Sequence, residues 1–144
     1  MTGTAALLAF VLLLVSGGGA LWITQRRAAQ ARALRFSGRR PLTAEELWRE
    51  FYEQRGVPLE MVEEILQVIA EAAGVPAGLI RPADRFDSEL APEKGWEFDD
   101  GLAEIIWWVK DRAKRSGRRV GDISNVRTVD DLVNFVFALS APPT

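Results

Sequence analysis

The sequence predicts an all-α domain on three observations. Apolar residues recur at helical spacing in three segments, Val62–Ala73, Leu102–Ala113 and Val129–Leu139. Thr43 and Thr128 each stand at the head of a capping-box pattern, Thr43-Ala44-Glu45-Glu46 and Thr128-Val129-Asp130-Asp131. No alternating strand pattern longer than four residues occurs anywhere in the chain.

The first 25 residues carry no charged side chain. From Thr2 to Ile23 the chain is apolar or small, 22 residues that as a helix extend about 33 Å against a bilayer core of about 30 Å. A secretory signal carries positive charge ahead of its apolar core, and none precedes this one. Arg26, Arg27, Arg32, Arg35, Arg39 and Arg40 follow at once with no acid among them. A single transmembrane helix is therefore expected, with the N-terminus outside and the C-terminal domain on the cytoplasmic face of the inner membrane. The Arg26–Arg40 cluster is expected to meet anionic lipid headgroups, and Trp22 falls where an interfacial aromatic sits. Ser16-Gly17-Gly18-Gly19 weakens the span locally.

Past this arm, residues 41–144 hold 12 basic and 20 acidic side chains, a net of −8 hidden inside the whole-chain value of −2. The basic stretch is juxtamembrane and carries a single aromatic, Phe36, so nucleic acid is not an expected partner. The helix opened by Thr43 carries Leu47 and Phe51 at i, i+4 and stops at Gly56; it reads as a linker helix. After Pro58, Val62, Ile65, Leu66, Ile69 and Ala73 fall on one helical face, with Glu60, Glu63, Glu64, Gln67 and Glu71 on the other, until Gly74. Residues 75–98 form a long connection whose core anchors are Leu79, Ile80, Phe86 and Leu90. A helix from Asp99 or Asp100 to Ser116-Gly117 buries Leu102, Ile105, Ile106, Val109 and Ala113. The last helix buries Val129, Leu132, Val133, Val136 and Leu139, and Ile123 and Val126 lie in a single turn before it. The organisation expected is an anchor over 1–25, an Arg-rich juxtamembrane stretch and linker helix over 26–57, a helical domain over 58–140, and a tail over 141–144.

The order of these parts resembles the acyl carrier protein (phosphopantetheine-binding) family. The resemblance rests on the helix Val62–Ala70 running into Gly74-Val75, the loop with Ile80, Phe86 and Leu90, the helix opening Asp100-Gly101-Leu102, and the opening of the last helix at Thr128–Leu132. It implies a four-helix bundle of three main helices and one short one. It also implies a phosphopantetheine arm on a Ser in an Asp-Ser-Leu triplet at the start of the second main helix, where the helix N-terminus stabilises the phosphate. In this chain Gly101 stands in the place of that Ser, so no hydroxyl is present there to carry the arm. The stretch 91–99 is also several residues longer than the family spacing. Ser88, in Phe86-Asp87-Ser88-Glu89-Leu90, aligns with the preceding loop, and reads as a loop hydroxyl rather than a substitute site.

Zero His and zero Cys exclude Ser-His-Asp and Cys-His catalysis, imidazole or thiolate metal sites, and disulfides. Glu97, Asp99 and Asp100 lack the spacing of a calcium loop and read as helix-capping acids. Taking Leu102 as origin and about 100° per residue, Trp108 flanks the buried stripe, while Trp107 falls on the outer face with Ala103, Lys110 and Lys114. Trp107 is then either a contact anchor or covered by the 92–98 loop. Lys110, Arg112, Lys114, Arg115, Arg118 and Arg119 form a basic cluster suited to acidic protein surfaces or to anionic lipid. The expectation is a binding module and not an enzyme, with a protein partner docking on helix 100–116 through Trp107, Lys110, Lys114 and Arg115. Neither cofactor nor metal is expected. The alternative is a working acyl or peptidyl carrier, in lipid or secondary-metabolite synthesis, with phosphopantetheine on an atypical residue.

Overall fold

In the computed structural model, residues 34–91 and 101–141 are described, together with Arg27 and residues 30–32. The expected membrane span over 2–23, the inserted stretch 91–99 apart from Ala91, Asp100, and the residues after 141 lie outside these. No helix among the described residues is long and apolar enough to cross a membrane.

The chain divides into two units, Met1–Ser37 and Gly38–Thr144. In the first, the described positions from Arg27 to Arg35 are helical, and the Ser37 hydroxyl donates to Leu34 O at 2.8 Å.

The second unit is a bundle of α-helices: α1 (Ala44–Phe51), α2 (Leu59–Ala73), α3 (Gly101–Arg115) and α4 (Val129–Ser140), with 3-10 turns at Glu53–Arg55 and Ala77–Leu79. No strand occurs among the described residues; an isolated antiparallel bridge joins Arg85 to Thr128. Two helices start where the sequence says they should, at Thr43 and at Thr128. Thr43 and Thr128 accept from the N–H groups of Glu46 and Asp131, whose carboxylates accept in return from the two threonine N–H groups, so two donors that no intrahelical carbonyl can reach are satisfied at each start. Gly74 and Gly117, at φ 64° and 66°, end α2 and α3 in the left-handed conformation. At the second, Arg118 N–H reaches Ala113 O (2.9 Å) and Gly117 N–H reaches Lys114 O (3.0 Å).

α2 is the organising helix, touching α1, α3, α4 and the turn Ala77–Leu79. Its buried residues Met61, Val62, Ile65, Leu66 and Ile69 span about 140° of the helix circumference, wide enough to serve several neighbours at once. Ile105, Val109 and Ala113 of α3 and Val129, Leu132, Val133 and Val136 of α4 complete the core. Ile80, Phe86 and Leu90 of the long connection are buried as expected, and Leu79 is half-buried.

Four features depart from the sequence reading. The helix over 44–51 is not a linker: the compact unit begins at Gly38, and the segment buries Leu47, Tyr52 and Val57, with the Trp48 indole donating to Val57 O at 2.7 Å. The turn expected around Ile123–Val126 is present as a single hydrogen bond, Val126 N–H to Ile123 O, and not as a helix. The short helix of the bundle is α1, at its beginning. Leu102, expected in the core, is exposed. The ion pair Glu64–Arg112, and a groove shared by Val68 and Glu71 with Trp108 and Glu104, set α2 and α3 antiparallel. In that register Leu102 lies level with Gly74, where α2 has already stopped.

Candidate functional site

The outer face of α3 carries the candidate site. Trp107 is 68% exposed, although an indole ring is among the most costly groups to leave in water. Ala103, Lys110 and Lys114 are exposed with it, forming the stripe that helical spacing predicts. Arg115, at the border of this face, pairs with Asp111 one turn back at 2.8 Å; a solvent-exposed pair of this kind contributes only about 0.3–0.5 kcal/mol, which leaves Arg115 open to exchange partners. The four expected contact residues, Trp107, Lys110, Lys114 and Arg115, are thus all surface residues of one helix.

Two other members of the basic cluster, Arg112 and Arg118, are used internally, while Arg119 is exposed. Arg112 lies over the Trp108 ring, 5.5 Å from its centroid, and pairs with Glu64 of α2. Arg118 donates to the C-terminal carbonyls of α4, at Ala138 (3.4 Å) and Ala141, where cations are favoured by the helix dipole. These two arginines fasten α3 and its end to α2 and α4. They line a polar hollow of about 490 Å³ with Glu64, Arg115 and Ser116, but the Arg112 and Arg118 guanidinium groups already have acceptors. Trp108 is half-buried, as its place beside the core stripe predicts.

A second hollow adjoins Trp107. Val68 and Glu71 of α2 face Ala103, Glu104, Trp107 and Trp108 of α3 across an open, mostly apolar groove of about 510 Å³. Sequence reading of α3 alone missed it, because Val68 and Glu71 of its wall come from a helix some forty residues away.

Gly101 is the first described residue of α3. Ser88 lies in a loop rather than at a helix start. Its hydroxyl donates to the Glu89 carboxylate at 2.7 Å, a bond that, with the Arg85 N–H, holds the Glu89 carboxyl below its ordinary range. Arg85 closes the same loop through a two-pronged pair with Asp87, both bonds at 2.7 Å. Glu97, Asp99 and Asp100 lie outside the described residues, as do Trp96 and Phe98; among the described ones no group of three or more Asp or Glu is arranged to hold a metal ion.

Within the Arg26–Arg40 run, Arg39 is engaged by the fold: its guanidinium embraces the buried carboxylate of Asp84 at 2.7 and 2.8 Å and donates to Leu79 O at 2.9 Å. The Asp84 hydrogen bond and charge raise its pKa further, against the opposing effect of burial. Arg40 sits 3.7 Å from Glu46. The two arginines belong to the folded unit, and the basic stretch ahead of it is shorter than the sequence suggests.

No protein-family model, no curated protein and no solved structure matches the chain.

Proposed function

We propose that this chain is a membrane-anchored, acyl-carrier-like module that works by binding another protein at the cytoplasmic face of the membrane, without a phosphopantetheine arm. The observation that carries this reading is the exposure of Trp107 in a stripe with Ala103, Lys110 and Lys114. Covering such a ring removes on the order of 100–150 Å² of apolar surface from water, about 3 kcal/mol of driving force. A rim lysine contributes about 1 kcal/mol or less. The indole therefore supplies the affinity, while Lys110, Lys114 and Arg115 orient an acidic partner and speed its approach. The anchor and the cytoplasmic placement rest on the uncharged run 2–23 and the arginines that follow it.

The alternative carrier reading predicts a covalent arm. Incubating the full-length chain with coenzyme A and a broad phosphopantetheinyl transferase, then weighing the intact protein, separates the two. The expected result is an unchanged mass. A stoichiometric gain of the arm overturns the armless reading, and its loss in Ser88→Ala would place the site. A photo-crosslinking residue at position 114, beside an intact Trp107, is expected to capture one defined partner in cells. The same residue at 45, on the exposed face of α1, is expected to capture none.

A further inference from the structure

We infer that the groove beside Trp107 receives an arginine side chain from the docking partner, an assignment that rests on the docking reading above and gives that partner a chemistry. The fold contains the pattern once already. At Trp108 an indole, a guanidinium and a carboxylate form one unit across α2 and α3: Arg112 lies over the ring at 5.5 Å and pairs with Glu64. Two turns further along α2 stands Glu71, and one turn back along α3 from Trp108 stands Glu104. Both carboxylates flank the groove lined by Val68, Ala103 and the two tryptophans. Rings and acids of a second such unit are in place. Glu71 accepts from the Gln67 amide at 2.8 Å, and among the described residues neither it nor Glu104 is paired with a cation. The missing member is the guanidinium, and the partner supplies it.

Arginine fits better than lysine or a quaternary ammonium. A planar guanidinium lies flat on an indole while its in-plane N–H groups remain free for carboxylates on either side. An ammonium meets one or the other. Lys110 and Lys114 extend the stripe away from the groove, so the partner segment carries its arginine on one side of the Trp107 contact and acids on the other. A mixed-charge segment of this kind is rejected by a uniformly acidic or basic surface, which gives the contact specificity as well as affinity.

The test is a titration of the ¹⁵N-labelled full-length chain with acetyl-arginine amide, acetyl-citrulline amide and tetramethylammonium, read at the indole N–H signals. Arginine amide is expected to shift the Trp107 signal saturably, and neutral citrulline amide to leave it in place. Glu71→Gln with Glu104→Gln is expected to weaken binding at least about threefold, while Lys110→Glu with Lys114→Glu does not weaken it. Equal shifts from citrulline amide or tetramethylammonium overturn the assignment, as does an unchanged affinity in the glutamine pair or the absence of a saturable shift. Crosslinking from position 114 reports on docking separately. A captured partner with an inert groove rejects the arginine site alone, and arginine binding without any captured partner rejects the docking reading alone.

Discussion

The Arg39 guanidinium and the Asp84 carboxylate meet side-on, at 2.7 and 2.8 Å, where the chain enters its folded unit at Gly38. Asp84 is the one buried charged residue among those described. The same carboxylate accepts from the Arg81 N–H at 2.8 Å, and the Asp84 carbonyl takes the Val129 N–H at 3.0 Å. One residue thus gathers the entry segment, the long connection and the start of α4. Removing Arg39 leaves a buried carboxylate, and removing Asp84 a half-buried guanidinium, without its counter-charge. Arg39→Met and Asp84→Ala are each expected to cost about 2–4 kcal/mol in urea unfolding, less than a fully buried pair because Arg39 keeps some contact with water. Asp84→Asn, which retains an acceptor for the Arg81 N–H, should cost less than Asp84→Ala.

The same junction has no room for a methyl group at Gly78. Its carbonyl accepts from Leu42 N–H at 2.9 Å, and a Cβ built on Gly78 would stand 2.9 Å from Leu42 O. That atom is backbone and is held by its own neighbours, so it cannot swing aside. Gly78→Ala is expected to lose about 1–3 kcal/mol of stability. Gly121→Ala, with open space around it, should change the unfolding midpoint very little.

These two relationships show where sequence reading stops. The stripes Val62–Ile65–Leu66–Ile69 and Val129–Leu132–Val133–Val136, and the caps Thr43 and Thr128, were legible because each signal repeats or closes within a helical turn or two. Arg39–Asp84 joins positions 45 residues apart, and Arg55–Asp130 joins positions 75 apart. No local period announces such pairs, so Arg39 reads as one more lipid-facing arginine and Tyr52 as nothing in particular. The candidate site divides in the same way. The outward face of Trp107 follows from its angle on α3, whereas the groove beside it depends on the register of α2, which places Val68 and Glu71 opposite.

Asp131 links the cap of α4 to acid stability. Burial pushes its carboxyl up, but hydrogen bonds from the Arg127 and Thr128 N–H groups, at 3.0 and 2.9 Å, and from the Thr128 hydroxyl outweigh it and hold the group below its ordinary value of 3.8. A depressed carboxyl contributes stability above that value and loses it as pH falls through the folded pKa. Asp131→Asn is expected to cost about 0.5–1 kcal/mol at neutral pH. The gap between wild type and variant should close in thermal melts taken from pH 5 down to pH 2. A gap that stays constant would mean that the charge contributes nothing.

Tyr52 sets the opposite limit. It is the chain's single tyrosine, fully buried, with a hydroxyl that finds no hydrogen-bond partner among the described residues and a ring beneath the Arg55 guanidinium at 5.1 Å. Burial is the main cause that raises its pKa far above the ordinary value of 10; the Asp130 charge adds to it and Arg55 offsets part. The unfolded chain ionises first, so this group's stabilisation is intact below pH 10 and is lost as pH rises beyond it. Tyrosinate absorbance is expected to appear only as the fold is lost. Tyr52→Phe, which removes a buried hydroxyl without a partner, should raise stability by up to about 1 kcal/mol and delay alkaline unfolding.

Trp107 separates folding from recognition more sharply than any of these. Its ring is mostly in water and its backbone is an ordinary helical position of α3. Trp107→Ala therefore removes little packing, and alanine favours the helix, so urea midpoints should agree within about 0.5 kcal/mol. The same change deletes the largest apolar surface of the docking face. Crosslinking from position 114 to the partner is expected to fall about tenfold or more. Lys110→Glu with Lys114→Glu should leave the fold equally intact while slowing association and removing its salt dependence. A Trp107→Ala chain that folds as wild type and still captures the partner at full yield would place the interaction elsewhere on the molecule. The exposed indole would then belong to the groove chemistry alone, where the arginine titration measures it without any partner present.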